Sequence, residues 1–335
     1  MRDAADGPGG DREEMKETRP GRMRRSAVRR IDMEWEVGII EWLQGGPAAL
    51  NRILGGCFSF IGGETGLMIL LVIALFCWKK EAGQKLALTV ASLHVWFAMI
   101  KAGVMRLRPF MKYTDRVSPT ALPAPEAPAA DIAAQGYSFP SMHSGAVAAA
   151  YFTLAREIRR RWAWILAAAL TLLVGVFRAA TGCHYPTDVL AGWALGFAVI
   201  AVFEWLERRV EKEWARLLIL LAVSLPGLIY VRTEDYFTSL GLLVGAAAAI
   251  PFERRYVGYR DTRNVLAMLL RAAGAFVVYF GLNTLLKLPF PEAFLDGGSF
   301  AALAVRAVRY AVDLFVIMGV YPMLFPLFER IGRRA

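Results

Sequence analysis

Long apolar runs closed by charged residues dominate the pattern of hydrophobic and polar positions along this 335-residue chain. About 20 consecutive apolar residues are enough for an α-helix to cross the hydrocarbon core of a bilayer. The third and seventh runs are marginal in length. The predicted spans are 58–78, 86–107, 145–154, 162–177, 187–206, 217–231, 237–251, 265–286 and 300–328. The pattern therefore predicts an all-α, polytopic transmembrane helical bundle in the cell membrane.

The residues before the first span divide into two predicted segments. Residues 1–33 are polar and basic and lack periodicity, which predicts a disordered tail. Residues 34–57 are amphipathic up to a break at Gly45-Gly46-Pro47, which predicts an interfacial segment along the membrane surface. No apolar region follows the basic stretch directly, so a signal peptide is not expected. We expect either a further crossing near residues 34–60 or a true start at Met33.

Composition and charge agree with a membrane protein. The chain is 56% hydrophobic and its mean hydropathy is +0.41. A net charge of +10 could suggest nucleic-acid binding, but the basic residues cluster between apolar runs, where membrane topology requires them. Three cysteines without paired spacing predict neither a disulfide framework nor a zinc site. We therefore expect membrane lipids, and no nucleic acid, as partners.

The basic turns predict the orientation of the bundle. If the spans alternate, five basic clusters fall on one side, which the positive-inside rule makes cytoplasmic. These clusters are Lys79-Lys80, Arg156–Arg161, Arg208-Arg209, Arg254–Arg263 and Arg330–Arg334. The loop 109–140 and the turn 182–187 then face the extracytoplasmic side. One feature disagrees, because nine spans would also leave the basic residues 19–30 outside.

The turn before the fifth span carries the first candidate chemistry. His184 and Asp188 are four residues apart and share a helix face if Pro186 opens a helix. A carboxylate there can accept the proton of one imidazole nitrogen and leave the other as a nucleophile. Arg178 ends the preceding run, and its fixed positive charge suits a phosphate.

Two further stretches offer anion-binding groups on the same predicted side of the membrane. Lys101 and Arg108 are seven residues apart and share a helix face, although a lysine snorkelling to the outer surface is an alternative. Ser141 can cap the third span, whose free amides can bind an anion beside His143. The alternative there is a capped helix with an interfacial histidine. Together the stretches predict the cations, nucleophile and acid that phosphoryl transfer needs.

The three stretches resemble the signatures of the type 2 phosphatidic acid phosphatase superfamily over about residues 58–206. The matching motifs are Lys101-x6-Arg108-Pro109, Pro140-Ser141-x-His143 and Arg178-x5-His184-x3-Asp188. The resemblance implies that His184 attacks phosphorus to form a phosphohistidine and that Asp188 orients it. It implies that His143 protonates the leaving oxygen and later activates water. The implied phosphate-binding residues are Lys101, Arg108, Ser141 and Arg178. The resemblance implies no metal and no other cofactor.

Two residues depart from the family pattern. Met142 stands where many members have Gly, and Phe177 stands where many have Ser. We expect activity to persist because Met142 still offers a backbone amide, although its side chain narrows the pocket. The spans within 207–335 lie beyond the common core, and Arg271 and Asp313 are charges inside them. We expect these charges to pair with one another or with nearby polar groups.

The leading hypothesis is an integral-membrane phosphatase that hydrolyses a lipid phosphate or polyprenyl diphosphate on the extracytoplasmic face. One alternative is a transporter or flippase-like binder of phosphate lipids, which the charges in the additional spans motivate. Another is a sugar-phosphate phosphatase. A lipid is favoured because the site opens at the bilayer surface. Undecaprenyl pyrophosphate, phosphatidic acid and phosphatidylglycerol phosphate all remain candidate substrates.

Overall fold

The N-terminal half of the described chain forms a bundle of nine helical segments. The computed structural model describes residues 34–334, and within that range the chain is helical and has no β-strand. The predicted disorder of residues 1–33 lies outside the described residues. The segments are α1 (Glu34–Gln44), α2 (Ala48–Gly62), α3 (Glu64–Ile73), α4 (Lys80–Val104), α5 (Pro109–Lys112), α6 (Ile132–Gln135), α7 (Met142–Ile158), α8 (Arg161–Ala180) and α9 (Pro186–Arg209). The predicted all-α class is confirmed.

The C-terminal half of the described chain continues the bundle in seven helical segments. Its segments are α10 (Glu213–Ser224), α11 (Gly227–Tyr230), α12 (Glu234–Phe252), α13 (Val265–Leu285), α14 (Glu292–Leu295), α15 (Phe300–Phe315) and α16 (Phe325–Arg334). Short π-helical turns at Ala74–Trp78, Glu253–Val257 and Val316–Val320 extend α3, α12 and α15, and a 3₁₀ turn at Tyr321–Leu324 leads into α16.

The membrane spans agree with the predicted runs, with one correction. Among residues 34–334, seven helical segments are long and apolar enough to cross a bilayer, and a bent pair forms an eighth. Together with α7, which has 17 residues, they give each predicted run a helical counterpart. The first predicted span, 58–78, is not one straight helix. Its helices Ala49–Gly62 and Glu64–Trp78 meet at 48°, because Gly63 is extended, with ψ 173°.

The predicted interfacial segment 34–57 is divided between two structures. Helix α1 packs on the bundle through Val37 and Ile40, which are fully buried against Phe110 and Tyr185. Residues 48–57 belong instead to α2, the first arm of the bent pair. The opposite face of α1 carries large exposed side chains, Trp35, Ile39 and Trp42. Contact of that face with the membrane surface stays a prediction.

Small residues bring α7 and α9 into close contact. A Cβ on Gly196 would lie 2.6 Å from the carbonyl oxygen of Gly145, and one on Gly192 would lie 2.6 Å from the carbonyl oxygen of Ser141. Such small residues let transmembrane helix backbones approach closely. The contact aligns the N-termini of the two helices, so that the Ser141 amide donates to the Asp188 carbonyl oxygen at 3.0 Å.

The C-terminal helices pack on the core mainly through α12. Phe237 and Leu243 of α12 are buried against Ala91 and Val95 of α4. On its other side α12 meets α15 at Gly241 and Gly245, where an added Cβ would collide with the carbonyl oxygens of Ala307 and Ala311. The C-terminal helices are therefore a continuous part of the bundle.

The two charges inside the C-terminal spans, Arg271 and Asp313, do not pair with one another. Each has a polar partner nearby, which is one of the two arrangements expected from the sequence. Arg271 forms an ion pair with Glu329 at 2.9 Å. Asp313 accepts from the Asn283 amide at 2.8 Å, and the Asn283 carbonyl accepts from Arg309 at 3.0 Å. Pairing of this kind is what allows charges to lie within a membrane bundle.

The α7–α9 contact predicts the effect of a larger side chain at Gly196. Replacing Gly196 by Leu forces the two helices apart, and overpacking of this kind costs about 1–3 kcal/mol. We expect a clear fall in the thermal unfolding midpoint of the detergent-purified protein, measured by size-exclusion chromatography after heating. Gly281→Leu is the matched control, because nothing lies within 4 Å of a Cβ on Gly281. Equal midpoints for the two variants would contradict the packing described.

Candidate active site

The imidazole of His184 is held with one nitrogen protonated and the other bare. His184 lies in the turn between α8 and α9, and only 2% of its surface is exposed. Its Nδ1 is 2.8 Å from the Ser138 carbonyl oxygen. A carbonyl can only accept, so Nδ1 carries the proton. Nε2 therefore presents a lone pair, and Arg108 Nη1 lies 3.3 Å from it.

The surroundings of His184 favour its neutral form. Burial, reinforced by the positive charges of Arg108, Arg178 and Lys101, lowers the pKa of His184 well below its ordinary value. Only a neutral imidazole has a lone pair with which to attack. The Nε2 lone pair of His184 is thus available at neutral pH without the loss of a proton.

Asp188 lies beside His184 but does not form the direct hydrogen bond that the sequence suggested. Its Oδ2 is 3.7 Å from His184 Nδ1, beyond hydrogen-bond distance. The same oxygen accepts from the Tyr185 amide at 2.9 Å, and Oδ1 accepts from Arg106. The hydrogen-bond acceptor for Nδ1 is instead the Ser138 carbonyl. Pro186 opens α9 as predicted, and this places Asp188 in its first turn.

Arg106 and Glu36 support Asp188, and sequence reasoning missed both of them. Arg106 binds Asp188 through Nη1 and binds Glu36 Oε2 through Nη2 at 2.7 Å. Its guanidinium carbon lies 3.8 Å from the centre of the Tyr185 ring. Glu36 Oε1 also accepts from the Thr187 amide at 3.0 Å and from its hydroxyl at 2.6 Å. Helix α1 is therefore tied to the first turn of α9 by a buried polar network.

The sequence contains a weak indication that Glu36 is buried and paired. Its partner Thr187 lies 151 positions further along the chain, so no local spacing joins the two. Glu36 is, however, four residues before Ile40 and next to Val37, on the apolar stripe of an amphipathic helix. A charged residue on such a stripe is expected to have a buried partner. Glu36 has no exposed surface.

Backbone carbonyls position the two cations of the first motif. Lys101 Nζ donates to the Tyr137 carbonyl oxygen at 2.7 Å. Arg108 Nε donates to the carbonyl oxygens of Gln135 and Gly136 at 2.9 and 3.0 Å, and its Nη1 donates to that of Cys183 at 3.1 Å. These contacts place the Arg108 guanidinium next to His184, where it can also bind a phosphate oxygen.

Arg178 reaches the site from the last turn of α8. It is 4% exposed, and its Nη1 donates to the Ser59 hydroxyl of α2 at 3.0 Å. The neighbouring Phe177, where many family members have Ser, stacks on Phe58 with the ring centres 5.0 Å apart. Helix α2 therefore accommodates this departure and supplies a hydroxyl beside Arg178.

His143 and Ser141 lie at the N-terminus of α7. A Cβ on Gly63 would lie 3.6 Å from His143 Nε2, so His143 faces the bend between α2 and α3. Ser141 occupies the N-cap position, but its hydroxyl is 2.8 Å from that of Ser144 and caps no backbone amide. The predicted side-chain cap is therefore wrong, although the helix begins where the prediction placed it.

The structure brings the three predicted stretches together at one end of the bundle. The charges of Lys101, Arg108 and Arg178 all lie close enough to act on both His143 and His184. A cluster of positive charge of this kind suits an anion. Within residues 34–334, no three His, Cys, Asp or Glu side chains converge to hold a metal ion. Metal independence stays a prediction.

Comparison with known families agrees with this arrangement. The model of the PAP2 superfamily, the type 2 phosphatidic acid phosphatases, matches residues 84–212. A second model, described as the transmembrane extension of PAP2 superfamily phosphatases, matches residues 237–333. The chain belongs to the PAP2 superfamily. The second match covers α12 to α16 almost completely, so these helices are a known extension of the PAP2 core, and the protein is a multi-pass membrane protein.

Two relatives with a known name are similar to this chain. An undecaprenyl-diphosphatase of Sulfolobus acidocaldarius is 30% identical over 149 residues, which cover 44% of this chain and 66% of the relative. A phosphatidylglycerophosphatase B of Bacillus subtilis is 25% identical over 177 residues, which cover 49% of this chain and 78% of the relative. No solved structure matches the chain significantly.

The buried network around Arg106 predicts that Glu36 stabilises the fold. Replacing Glu36 by Gln removes one partner of a buried ion pair, a change that costs about 3–5 kcal/mol. We expect a fall of several degrees in the unfolding midpoint of the purified protein. Glu41→Gln is the matched control on the same helix, because Glu41 pairs with Arg116 in an exposed position. An unchanged midpoint in Glu36→Gln would contradict a stabilising role for the network.

Proposed function

We propose that this PAP2-superfamily protein hydrolyses a lipid phosphate or polyprenyl diphosphate through a phosphohistidine on His184, with the active site on the extracytoplasmic face. The observation that carries the proposal is the state of His184. Its Nδ1 proton is held by the Ser138 carbonyl, and its Nε2 faces Arg108. A neutral, oriented imidazole beside a guanidinium is the arrangement that in-line attack on a phosphoryl group needs.

In the first step Nε2 of His184 attacks phosphorus. A bond from nitrogen to phosphorus forms, and the bond from phosphorus to the leaving oxygen breaks. The negative charge of the bound phosphate favours the protonated form of His143. Protonated His143 gives its proton to the leaving oxygen and becomes neutral, so that the lipid leaves as an alcohol, or as a monophosphate from a diphosphate. Negative charge on the equatorial oxygens is stabilised by Lys101, Arg108 and Arg178.

In the second step water attacks the phosphohistidine. His143 takes a proton from the water as its oxygen bonds to phosphorus, and the bond to Nε2 breaks. Inorganic phosphate leaves, and His184 returns to its neutral form with the proton still on Nδ1. One residue thus serves as acid and then as base, as in other two-step hydrolyses.

Asp188 stabilises the charge that His184 acquires during the reaction. Once Nε2 is bonded to phosphorus, the ring is cationic. The Asp188 carboxylate, 3.7 Å from Nδ1, offsets this charge without receiving the proton. Arg106, bound to both Asp188 and Glu36, keeps the carboxylate in place. This arrangement differs from a direct His–Asp hydrogen bond, because the Ser138 carbonyl fixes the tautomer of His184 and Asp188 acts only through its charge.

A lipid is the substrate class that the observations favour. Undecaprenyl-diphosphatase and phosphatidylglycerophosphatase B are the names of the two relatives, and both denote lipid phosphatases. The transporter reading loses its motive, because Arg271 and Asp313 have structural partners within the extension. No observation favours a sugar phosphate.

Phosphate release by the purified protein tests the proposal. The panel is a polyprenyl diphosphate, phosphatidic acid, phosphatidylglycerol phosphate and glucose 6-phosphate, each with and without EDTA. We expect release from at least one lipid, little from the sugar phosphate, and no effect of EDTA. Release from none of the lipids would overturn the proposal, and a strict Mg²⁺ requirement would mean that the phosphate is held by other means.

We expect Asp188→Asn to lower the turnover number without weakening the binding of a phosphate analogue. Removing the carboxylate of the serine protease triad, which hydrogen-bonds its histidine directly, costs about 10⁴ in kcat. Because the Ser138 carbonyl keeps the tautomer here, we expect a smaller loss of about 10²–10³. Vanadate affinity should change little, since Asp188 does not contact the phosphate. Both quantities are measured on one preparation, and unchanged kcat would refute the role of Asp188.

Orientation is tested by cysteine labelling in intact cells. On a Cys57→Ser background, which removes the exposed cysteine, Thr114→Cys in the loop 109–140 should react with an impermeant thiol reagent. Arg160→Cys, between α7 and α8, should react only after the cells are opened. The reverse labelling would place the site on the cytoplasmic face.

A further inference from the structure

A large apolar cavity lies between the PAP2 core and its transmembrane extension. Its volume is about 360 Å³. Helices α3 and α4 form one wall, and α12, α13 and α15 form the other. The two family matches therefore meet at this cavity, and the extension contributes about half of its lining. Neither the phosphate-binding residues nor the proposed chemistry uses it.

The cavity changes from polar to apolar along its length. Glu64 and His94 line it where α3 begins and in the second half of α4. Leu75, Leu86 and Ile317 line it further toward the side that carries the basic turns. From Glu64 to Leu75 the chain rises roughly 16 Å, most of it along α3. One polar end and a long apolar remainder suit the junction of a lipid headgroup with its hydrocarbon chain.

The polar end adjoins the phosphate site on the side of the leaving group. Gly63, directly before Glu64, lies against His143, with 3.6 Å from its Cβ position to Nε2. His94 lies in the neighbourhood of His143. His94 also precedes Lys101 by seven residues on the same face of α4. Since His143 protonates the leaving oxygen, the lipid portion departs from phosphorus on the side where the cavity begins.

We propose that this cavity holds a hydrocarbon chain of the lipid phosphate whose phosphoryl group meets His184. The transmembrane extension then forms half of the chain-binding site. This inference rests on the proposed phosphatase function. At about 30 Å³ for each water-sized group, the cavity has room for about a dozen methylene-sized groups. That is a segment of one chain, and the remainder of the lipid lies in the bilayer.

The cavity orients the substrate in the site more than it raises the affinity for the substrate. Lipid tails are as apolar as the cavity wall, so moving a chain from the bilayer into the protein gains little from the hydrophobic effect. A chain seated next to His143 instead fixes the phosphoryl group in line with His184. The cavity therefore distinguishes substrates that have a long chain from those with the same headgroup and a short one.

Leu242→Trp tests the inference from the extension side. Leu242 lines the cavity and is half-buried, so a larger side chain there fills the space. Val244→Trp is the matched control two residues on, since Val244 is 39% exposed and lies outside the cavity. The kcat/KM of each purified variant is measured for a long-chain form, and for a soluble short-chain form, of the lipid that the unaltered protein hydrolyses fastest in the panel above.

We expect Leu242→Trp to lower kcat/KM for the long-chain substrate about tenfold and to leave that for the short-chain substrate unchanged, because lost orientation affects only a chain that reaches the cavity. Val244→Trp should change neither. Equal losses for both substrates, or no loss for either, would overturn the inference. Hydrolysis of none of the lipids in the panel by the unaltered protein would refute the phosphatase function instead.

A binding readout tests the cavity even if turnover is absent. In the His184→Ala protein, a long-chain phosphatidic acid with a diazirine on its chain is photolysed, and the labelled peptides are mapped. We expect labels on α12 or α13 residues of the cavity, such as Phe276, that are lost in the double variant with Leu242→Trp. Labels that are confined to the lipid-exposed Leu269 and Val277, or that Leu242→Trp does not diminish, would overturn the inference.

Discussion

The ion pairs of Arg106 with two buried carboxylates are the interaction on which the site depends. Glu36 and Asp188 have no exposed surface, and each would be costly to bury without a charged partner. Arg106 bridges them and so joins the first helix of the described chain to the helix that follows the nucleophile. The cations Lys101, Arg108 and Arg178 then exceed the remaining negative charge, and in the function we propose this excess positive charge binds the phosphate group of the substrate.

Backbone carbonyls contribute as much to the geometry as the motif side chains do. Ser138 holds His184, while Gln135, Gly136 and Cys183 hold Arg108. Ser138 is itself fixed by donation from its amide to the Arg106 carbonyl oxygen at 2.8 Å. The segment between the first two motifs therefore positions His184 and Arg108 in the candidate site.

Local patterns predicted the helices and the motif residues, because hydrophobic periodicity and short spacings are properties of neighbouring residues. The bend at Gly63 was missed because glycines, even the adjacent pair Gly62-Gly63, are tolerated inside transmembrane helices and do not by themselves predict a break. The role of Glu36 was missed because its partners are remote in the chain. The hydrogen bond to His184 was assigned to Asp188 by spacing, whereas the Ser138 carbonyl lies closer, and only tertiary packing determines where a carbonyl points.

A covalent bond between His184 and phosphorus is the central claim, and trapping it is the most direct test. The purified protein is mixed with a radiolabelled lipid phosphate, quenched in alkali to preserve phosphohistidine, and digested for mass spectrometry. We expect labelled phosphate on the peptide that contains His184, stable to alkali and released by acid, and no label in the His184→Ala protein. Steady release of phosphate with no label on His184, or with label on His143 instead, would contradict it.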